Sequence, residues 1–422
     1  MFKKDILCAL SGGGFRATFF HAGVLRGLIR LGLKNNIKVV SSVSGGSITN
    51  ALFGLKFDEI NTVEDFDQLV LTPLIELSNH DPRNALLKQR LISGINSSIA
   101  GFGSLLGALG KPLSLFATRQ NSDHFIEQLD RFIFKGKKLG DLSKNVRVVI
   151  NATNLNNGAR FRFDNTDFGD YKMGYSYEVD QLPISFAVMA SACFPGLFSP
   201  IKFDIGKHKF VLRNKNKQDA CSPNMTPDSV YLSDGGLYDN LGYFSIKSEL
   251  ERGRDGFVVI SDAANRFNND LSMYGFINSI FRVKDILMEQ ISNRDRRLIM
   301  DNLFSDKWTG VYLKLENSCR YYREFEHNKC SASADVPVIG WSESIVSRIA
   351  QIRTDLNIFS EHEIKCLVYH GETLSETVFA KWHNANYFDL CSKPSYKIPI
   401  IPDSSETQIF QGLRNSHKLL ST

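Results

Sequence analysis

The sequence predicts an α/β fold, a three-layer α/β/α sandwich around a mostly parallel sheet, and three observations carry that expectation. Short, near-continuous apolar runs recur at Ile6 to Leu10, Ile37 to Val43, Val146 to Thr153 and Gly256 to Ser261. Segments with helical spacing of apolar residues lie between them. Glycine-rich turns stand where strand gives way to helix, at Gly12 to Gly14 and at Gly45-Gly46. Strands that are apolar on both faces belong to a sheet covered on both sides, which is the arrangement that helical crossovers between parallel strands produce.

The elements follow in order. Ile6 to Leu10 is a strand that ends in Ser11-Gly12-Gly13-Gly14. Phe15 to Leu33 is a helix, with Phe19, Ala22, Leu25, Leu28, Ile29 and Leu31 on one side and Gly32 as its stop. Ile37 to Val43 is β-branched and apolar, a second buried strand, and Gly45 to Leu55 a second helix. Further strands are expected at Val146 to Thr153, Arg160 to Phe163, Val230 to Ser233 and Gly256 to Ser261. Further helices are expected at Ser122 to Phe134, Ile184 to Ala192, Tyr243 to Arg252 and Met273 to Phe304. Lys207 to Pro227 is polar and turn-rich, an excursion between two strands, and the tail from Asp403 is polar. With no internal repeat or clear linker, residues 1–422 read as one unit: a catalytic core over 5–265 and a largely helical C-terminal completion over 266–422.

Composition narrows the functional classes. The chain has 422 residues, 43% hydrophobic and 23% charged, which suits a globular protein with a sizeable core. A net charge of +5 is mild, and the densest basic stretches, Arg213 to Lys217 and Arg294 to Arg297, read as solvated surface rather than a nucleic-acid tract. Seven scattered cysteines without a CxxC pair point away from a disulfide framework or a zinc site. No D-x-D-x-D-G loop implies calcium, and no metal or other cofactor is expected. Met1 to Asp5 runs straight into a strand without a secretory leader pattern. Leu91 to Gly110 is uncharged but too rich in glycine and serine for a membrane-spanning helix. A cytoplasmic chain, at most peripheral at membranes, is the expectation. Residues 91–116 are a candidate lid over a binding cleft, or else a buried helical hairpin.

The chemistry is concentrated in three places. Ser42-Val43-Ser44-Gly45-Gly46 lies between a strand and a helix, where a sharp turn projects the Ser44 hydroxyl above the sheet. Small neighbours are needed because that backbone is crowded; serine replaces the first glycine of the usual G-x-S-x-G. Read alone, the segment is equally a Ser/Gly-rich helix N-cap. Ser11-Gly12-Gly13-Gly14-Phe15-Arg16 also follows a strand and opens a helix, so its N–H groups form an anion site. Without a G-K-[ST] ending or G-x-G-x-x-G spacing, the oxyanion of an acyl-transfer intermediate suits it better than a nucleotide phosphate. Arg16 holds a phosphate head group, braces the loop or makes a surface salt bridge. Asp234-Gly235-Gly236 puts a carboxylate at a strand end, where the glycines let it turn towards a neighbour.

Together these motifs resemble the patatin-like phospholipase family. Gly12-Gly13-Gly14 with Arg16, Ser44 in its elbow, and Asp234-Gly235-Gly236 carry the resemblance in order and placement. Ala190-Ser191-Ala192-Cys193-Phe194-Pro195 through Pro200 resembles the family's A-S-x-A-x-P-x-x-F-x-P segment, and Arg353-Thr354-Asp355-Leu356 with Phe359-Ser360 resembles a C-terminal element of bacterial members. The glycine loop and elbow look closer to the cytosolic phospholipase A2 branch, the D-G-G and proline-rich segment closer to the patatin and bacterial branch.

The resemblance implies a Ser–Asp dyad. Ser44 is then the nucleophile, Asp234 the base, and the N–H groups of Gly12, Gly13, Gly14 and Gly45 the oxyanion donors. The substrate is a phospholipid or lysophospholipid met at a membrane surface. An ordinary aspartate, with a pKa of about 3.9, is a poor base for serine, so burial must raise it. A histidine triad through His370 or His383 is the competing arrangement, and His21 reads as structural. Two other functions stay open: a non-lipid serine esterase, and a catalytically silent scaffold that binds lipid or protein.

Overall fold

Both faces of the first strand are apolar, and both are buried. In β1 (Asp5–Leu10), Ile6, Cys8 and Leu10 belong to one core, and Leu7 and Ala9 to a second. Side chains alternate across a strand, so β1 is the middle of three layers. The computed structural model describes residues 4–80, 114–195, 198–213, 219–221, 228–264, 276–324, 336, 339–385, 387–388, 390 and 406–413. The elements that matter here are α1 (Gly14–Arg30), β2 (Ile37–Val43), α2 (Gly45–Lys56), β3 (Arg147–Asn154), β4 (Arg160–Asp164), β5 (Phe168–Asp170) and β6 (Gly174–Ser176). They continue with α3 (Ile184–Ala192), β7 (Ile201–Phe203), β8 (Val230–Asp234), α4 (Phe244–Glu251), β9 (Gly256–Asp262), α5 (Phe276–Phe304), β10 (Thr309–Lys314) and α6 (Glu361–Asn384).

These ten strands form one sheet in the order β10-β9-β1-β2-β3-β4-β5-β6, with β8 also on β3 and β7 on β8. β10, β9, β1, β2 and β3 are parallel. The remaining pairings, through β4 to β6 and through β8 and β7, are antiparallel. The fold is thus the expected α/β sandwich, with a parallel half that carries the helical crossovers and an antiparallel flank.

The register of β3 positions the site. β2 runs parallel to β3 and ends with Val43 opposite Asn151. β8 runs the other way and ends with Asp234 opposite Ala152. Because β4 holds the far edge of β3 at these same residues, β2 and β8 share one edge and meet end to end. The residue after Val43 is Ser44.

The expected boundary at 265 cuts this sheet. β10 comes from the 266–422 region and pairs with β9 from Phe257↔Thr309 to Asp262↔Lys314. The C-terminal region therefore supplies a central-sheet strand as well as covering helices. One of these, α6, packs on α1 almost backbone to backbone: a Cβ on Gly23 would lie 2.1 Å from Val368 O, and one on Gly371 2.2 Å from Phe20 O. Arg26 Nη1 and Arg30 Nε meet the buried Glu372 at 2.5 and 2.6 Å across the same contact, fixing the helix whose N-terminus carries the glycine loop. The candidate lid over 91–116 lies outside the described residues, apart from the start of a helix at Ser114. Among the described residues, no helix is long and apolar enough to cross a membrane.

Candidate active site

Ser44 sits at the turn between β2 and α2 with φ 52°, a left-handed conformation that residues with a side chain rarely adopt. Its surroundings hold it there. The Ser44 N–H donates to Ser191 Oγ at 2.9 Å, and Ser191 Oγ donates to Asn151 O at 2.6 Å. Ser42, in place of the usual glycine, is buried and satisfied: its hydroxyl bonds Val149 O and accepts from Asn50 Nδ2 at 2.8 Å. A Cβ on Gly45 would fall 2.0 Å from Gly14 O. The N-termini of α1 and α2 therefore abut beside the serine, and two positive helix ends converge there.

In the glycine loop, Gly13 and Gly14 have φ of 141° and 56°, and Phe15 N–H donates to Asp355 O at 3.0 Å. The N–H groups of Gly13, Gly14 and Gly45 meet no acceptor among the described residues. Gly12 differs from expectation. Its N–H is bound to Asn240 O at 3.0 Å, which removes it from the candidate donors. It serves the site by lacking a side chain: a Cβ there would lie 2.5 Å from Asn240 Oδ1 and 3.3 Å from Ser44 Cβ.

Asp234 ends β8 and is 2% exposed. Its N–H donates to Cys193 O and its carbonyl accepts from Thr153, so the backbone is clamped on both sides. Oδ1 accepts from Gly236 N–H at 2.7 Å. Oδ2 is buried without a hydrogen bond of ordinary geometry among the described residues, and the Ser44 hydroxyl is a neighbour that acts on the carboxylate. Burial pushes the Asp234 pKa up to about 6; the Gly236 N–H, the Ser44 hydroxyl and the charge of Lys284 offset part of that shift.

The raised pKa has a stability consequence with a definite sign. Unfolded, the carboxyl titrates near 4; folded, it titrates near 6, so the cost of burying the anion appears as pH rises between the two and is complete above the second. Asp234→Asn removes that cost while keeping an acceptor for Gly236. At pH 8 the variant is expected to be more stable than wild type by about 2–3 kcal/mol, a difference that closes towards pH 4. Denaturant unfolding at both pH values checks this, and an equal or lower stability of the variant at pH 8 would refute it.

Arg16 is 1% exposed. Its Nε and Nη2 donate to Ala263 O at 3.2 and 2.7 Å, and Nη1 donates to Ala350 O and Ile352 O at 3.2 and 2.9 Å. Burial pulls its pKa down to about 10. The expected contact with a lipid phosphate is not what this geometry provides, because the guanidinium is enclosed and directed at backbone carbonyls. It ties the first turn of α1 to the segment before Arg353. His21 joins two strand ends, with Nδ1 at 2.8 Å from Ser261 Oγ and Nε2 at 3.0 Å from Ser11 O. His370 donates to Leu315 O from a buried position on α6, and His383 bonds Phe388 O. None of these histidines is hydrogen-bonded to Ser44 or Asp234.

The serine and the carboxylate open into a cleft of about 430 Å³ floored by Gly12, Gly13 and Gly14. Asn240, Thr354 and Leu356 line it too, and α5 forms a wall with Lys284 and Met288. Lys284 Nζ stands 4.0 Å from the centre of the Phe194 ring. Ser191, Asn151, Asn240 and Lys284 are site residues that the motifs alone did not single out. Ser191 had a signal, its place in the Ala190–Pro200 segment. Asn151 and Lys284 had none, because their proximity depends on the register of β3 and the path of α5.

A family model described as patatin-like phospholipase matches residues 8–245, a span that holds the glycine loop, the elbow and Asp234. The chain belongs to the patatin-like phospholipase family. Among solved structures it is similar to human GIVD cytosolic phospholipase A2, at 12% identity and a TM-score of 0.47 over 91% of this chain. The aligned part is 59% of the human enzyme's length. VipD from Legionella pneumophila is similar at 14% identity and a TM-score of 0.36, over 90% of this patatin-like chain and 67% of its own. No curated protein matches the chain in sequence.

Proposed function

We propose that this patatin-like chain hydrolyses fatty-acyl esters of phospholipids or lysophospholipids, with Ser44 as nucleophile and Asp234 as its base. The observation that carries the reading is the end-to-end meeting of β2 and β8 on β3, which sets a strained serine beside a buried carboxylate under unpaired glycine N–H groups. Asp234 accepts the Ser44 proton as the oxygen attacks the ester carbonyl. The N–H groups of Gly13, Gly14 and Gly45 receive the developing oxyanion, each donor contributing about 100- to 1000-fold in rate. Collapse of the intermediate expels the lysolipid or glycerol oxygen, which takes the proton back from Asp234. Water, deprotonated by the same carboxylate, then releases the fatty acid from Ser44.

The raised pKa supports this role, since a base titrating near 6 is better matched to neutral pH than an ordinary aspartate. A lipid substrate is supported by membership of the patatin-like phospholipase family; α5 walls the cleft with one face and exposes Val283, Ile286 and Leu287 on the other. Apolar side chains on that outer face suit contact with a membrane surface.

The test is fatty-acid release from mixed phospholipid liposomes, set against turnover of a short soluble ester. Release from liposomes is expected, with kcat/KM rising as pH passes through about 6, because the base must be ionised. Turnover of the soluble ester alone, with no gain on lipid aggregates, would instead favour a non-lipid esterase.

A further inference from the structure

The strand Arg160-Phe161-Arg162-Phe163-Asp164 alternates strictly. Phe161 and Phe163 face the core, so Arg160, Arg162 and Asp164 share the opposite face of β4. Across the ladders, Asn151, Arg162, Gly169 and Tyr175 stand in one row over four strands. Glycine at the third position leaves space in that row, and Arg162 lies 4.7 Å from the Tyr175 ring centre. Arg213 stacks on the same ring at 4.3 Å. Arg147 enters from β3 and Arg252 from the end of α4. The result is a cleft of about 340 Å³ lined by five arginines, Arg147, Arg160, Arg162, Arg213 and Arg252, with Tyr171, Tyr175 and Tyr238.

Among the described residues, carboxylates do not balance this cluster. Asp164, Asp167 and Glu249 pair with Arg147, Arg162, Arg213 and Arg252. Arg160 has no ion pair among the described residues. Its Nη1 donates to Ser245 Oγ at 2.7 Å and to Asn151 Oδ1 at 3.3 Å, and Asp239 acts on it only at longer range. Burial lowers the pKa of Arg252, and repulsion from Arg147, Arg162 and Arg213 adds to that lowering. Converging guanidiniums held by aromatic stacking, with positive charge in excess, are the arrangement that recognises phosphate oxygens through paired N–H groups. The volume suits a small phosphorylated group. The turn from Gly236 to Asn240 separates this cleft from Ser44: Tyr238 lines one and Asn240 the other.

We propose that the arginine cleft beside β4 is a binding site for a phosphate-bearing small anion, separate from the Ser44 cleft. Its ligand is either a soluble phosphate compound or the phosphomonoester head group of a lipid. Pyrophosphate titrated calorimetrically into the full-length chain at low salt tests the soluble source. Flotation with phosphatidylcholine vesicles carrying phosphatidic acid, against vesicles carrying phosphatidylserine at equal charge, tests the lipid source. Arg252→Gln, at a half-exposed position, is expected to weaken binding about tenfold without unfolding the chain. Arg160→Gln is expected to weaken it at least as much. Lys247→Gln, on α4 but outside the cleft, and Ser44→Ala are expected to bind like wild type. Saturable pyrophosphate binding assigns a soluble ligand, and selective capture on phosphatidic acid assigns a lipid one. The proposal is overturned if wild type binds neither, or if Lys247→Gln weakens binding as much as Arg252→Gln.

Discussion

Alanine in place of Ser44 is expected to lower fatty-acid release from phospholipid liposomes by at least about 10⁴-fold, and asparagine in place of Asp234 to come close to that loss. The two effects share one cause. Without the hydroxyl there is no atom to carry the acyl group, and without the carboxylate there is no acceptor for its proton. Asparagine is the informative replacement because it keeps the size of the side chain and an oxygen for the Gly236 N–H, so the geometry at the end of β8 survives. The pH profile separates the roles. Wild-type kcat/KM rises through about 6, whereas the residual rate of Asp234→Asn has no step there, because the titrating group is gone. A Ser44→Ala protein that folds and keeps a tenth of the wild-type rate would remove Ser44 from the mechanism. A step near pH 6 that persists in Asp234→Asn would transfer the base to another group. His21 and His370 are poor candidates for it, since burial drives both pKa values down to about 4.

Much of this candidate site is legible in the sequence, for a definite physical reason. Turns that need glycine and strands buried on both faces leave local marks, and those marks place the loop, the elbow and Asp234 in order. The helices starting near residues 14, 45, 184, 244 and 276 are likewise read from periodicity. Long-range registry leaves no such mark. β10 is only partly buried, Thr309, Gly310 and Lys314 interrupt its apolar run, and its membership of the sheet rests on pairing with β9. The enclosure of Arg16 depends on carbonyls from Ala263, Ala350 and Ile352, far away in sequence, and a surface contact with lipid was an equally good reading of its position on the first helical turn. The loss of Gly12 as a donor follows from one hydrogen bond to Asn240. A strand is expected at Arg160 to Phe163; that its arginines converge with Arg147, Arg213 and Arg252 is not legible.

Gly45→Ala is expected to lower kcat for fatty-acid release by about 100- to 1000-fold, with a smaller effect on KM. The added methyl would start 2.0 Å from Gly14 O, far inside van der Waals contact, so one of the two helix ends must move. Neither end is loose. Gly14 is backed by Asp355 O, which would lie 2.7 Å from a Cβ of its own, and Phe15 N–H is bonded to the same carbonyl. On the other side, Ser44 is held by Ser191, which is held by Asn151. Relief therefore comes from spreading the gap between α1 and α2, which carries the Gly13 and Gly14 N–H groups away from the place where the oxyanion forms. Donors aimed at a transition state lose most of their value when displaced by about an ångström, whereas a ground-state ester depends on them less. Gly206→Ala is the control: a Cβ there meets only ordinary contacts, the nearest at 3.6 Å, and its rate and melting temperature are expected to match wild type. If Gly45→Ala keeps the full wild-type rate while folded, the convergence of the two helix ends is architecture and not catalysis, and the oxyanion must be held elsewhere.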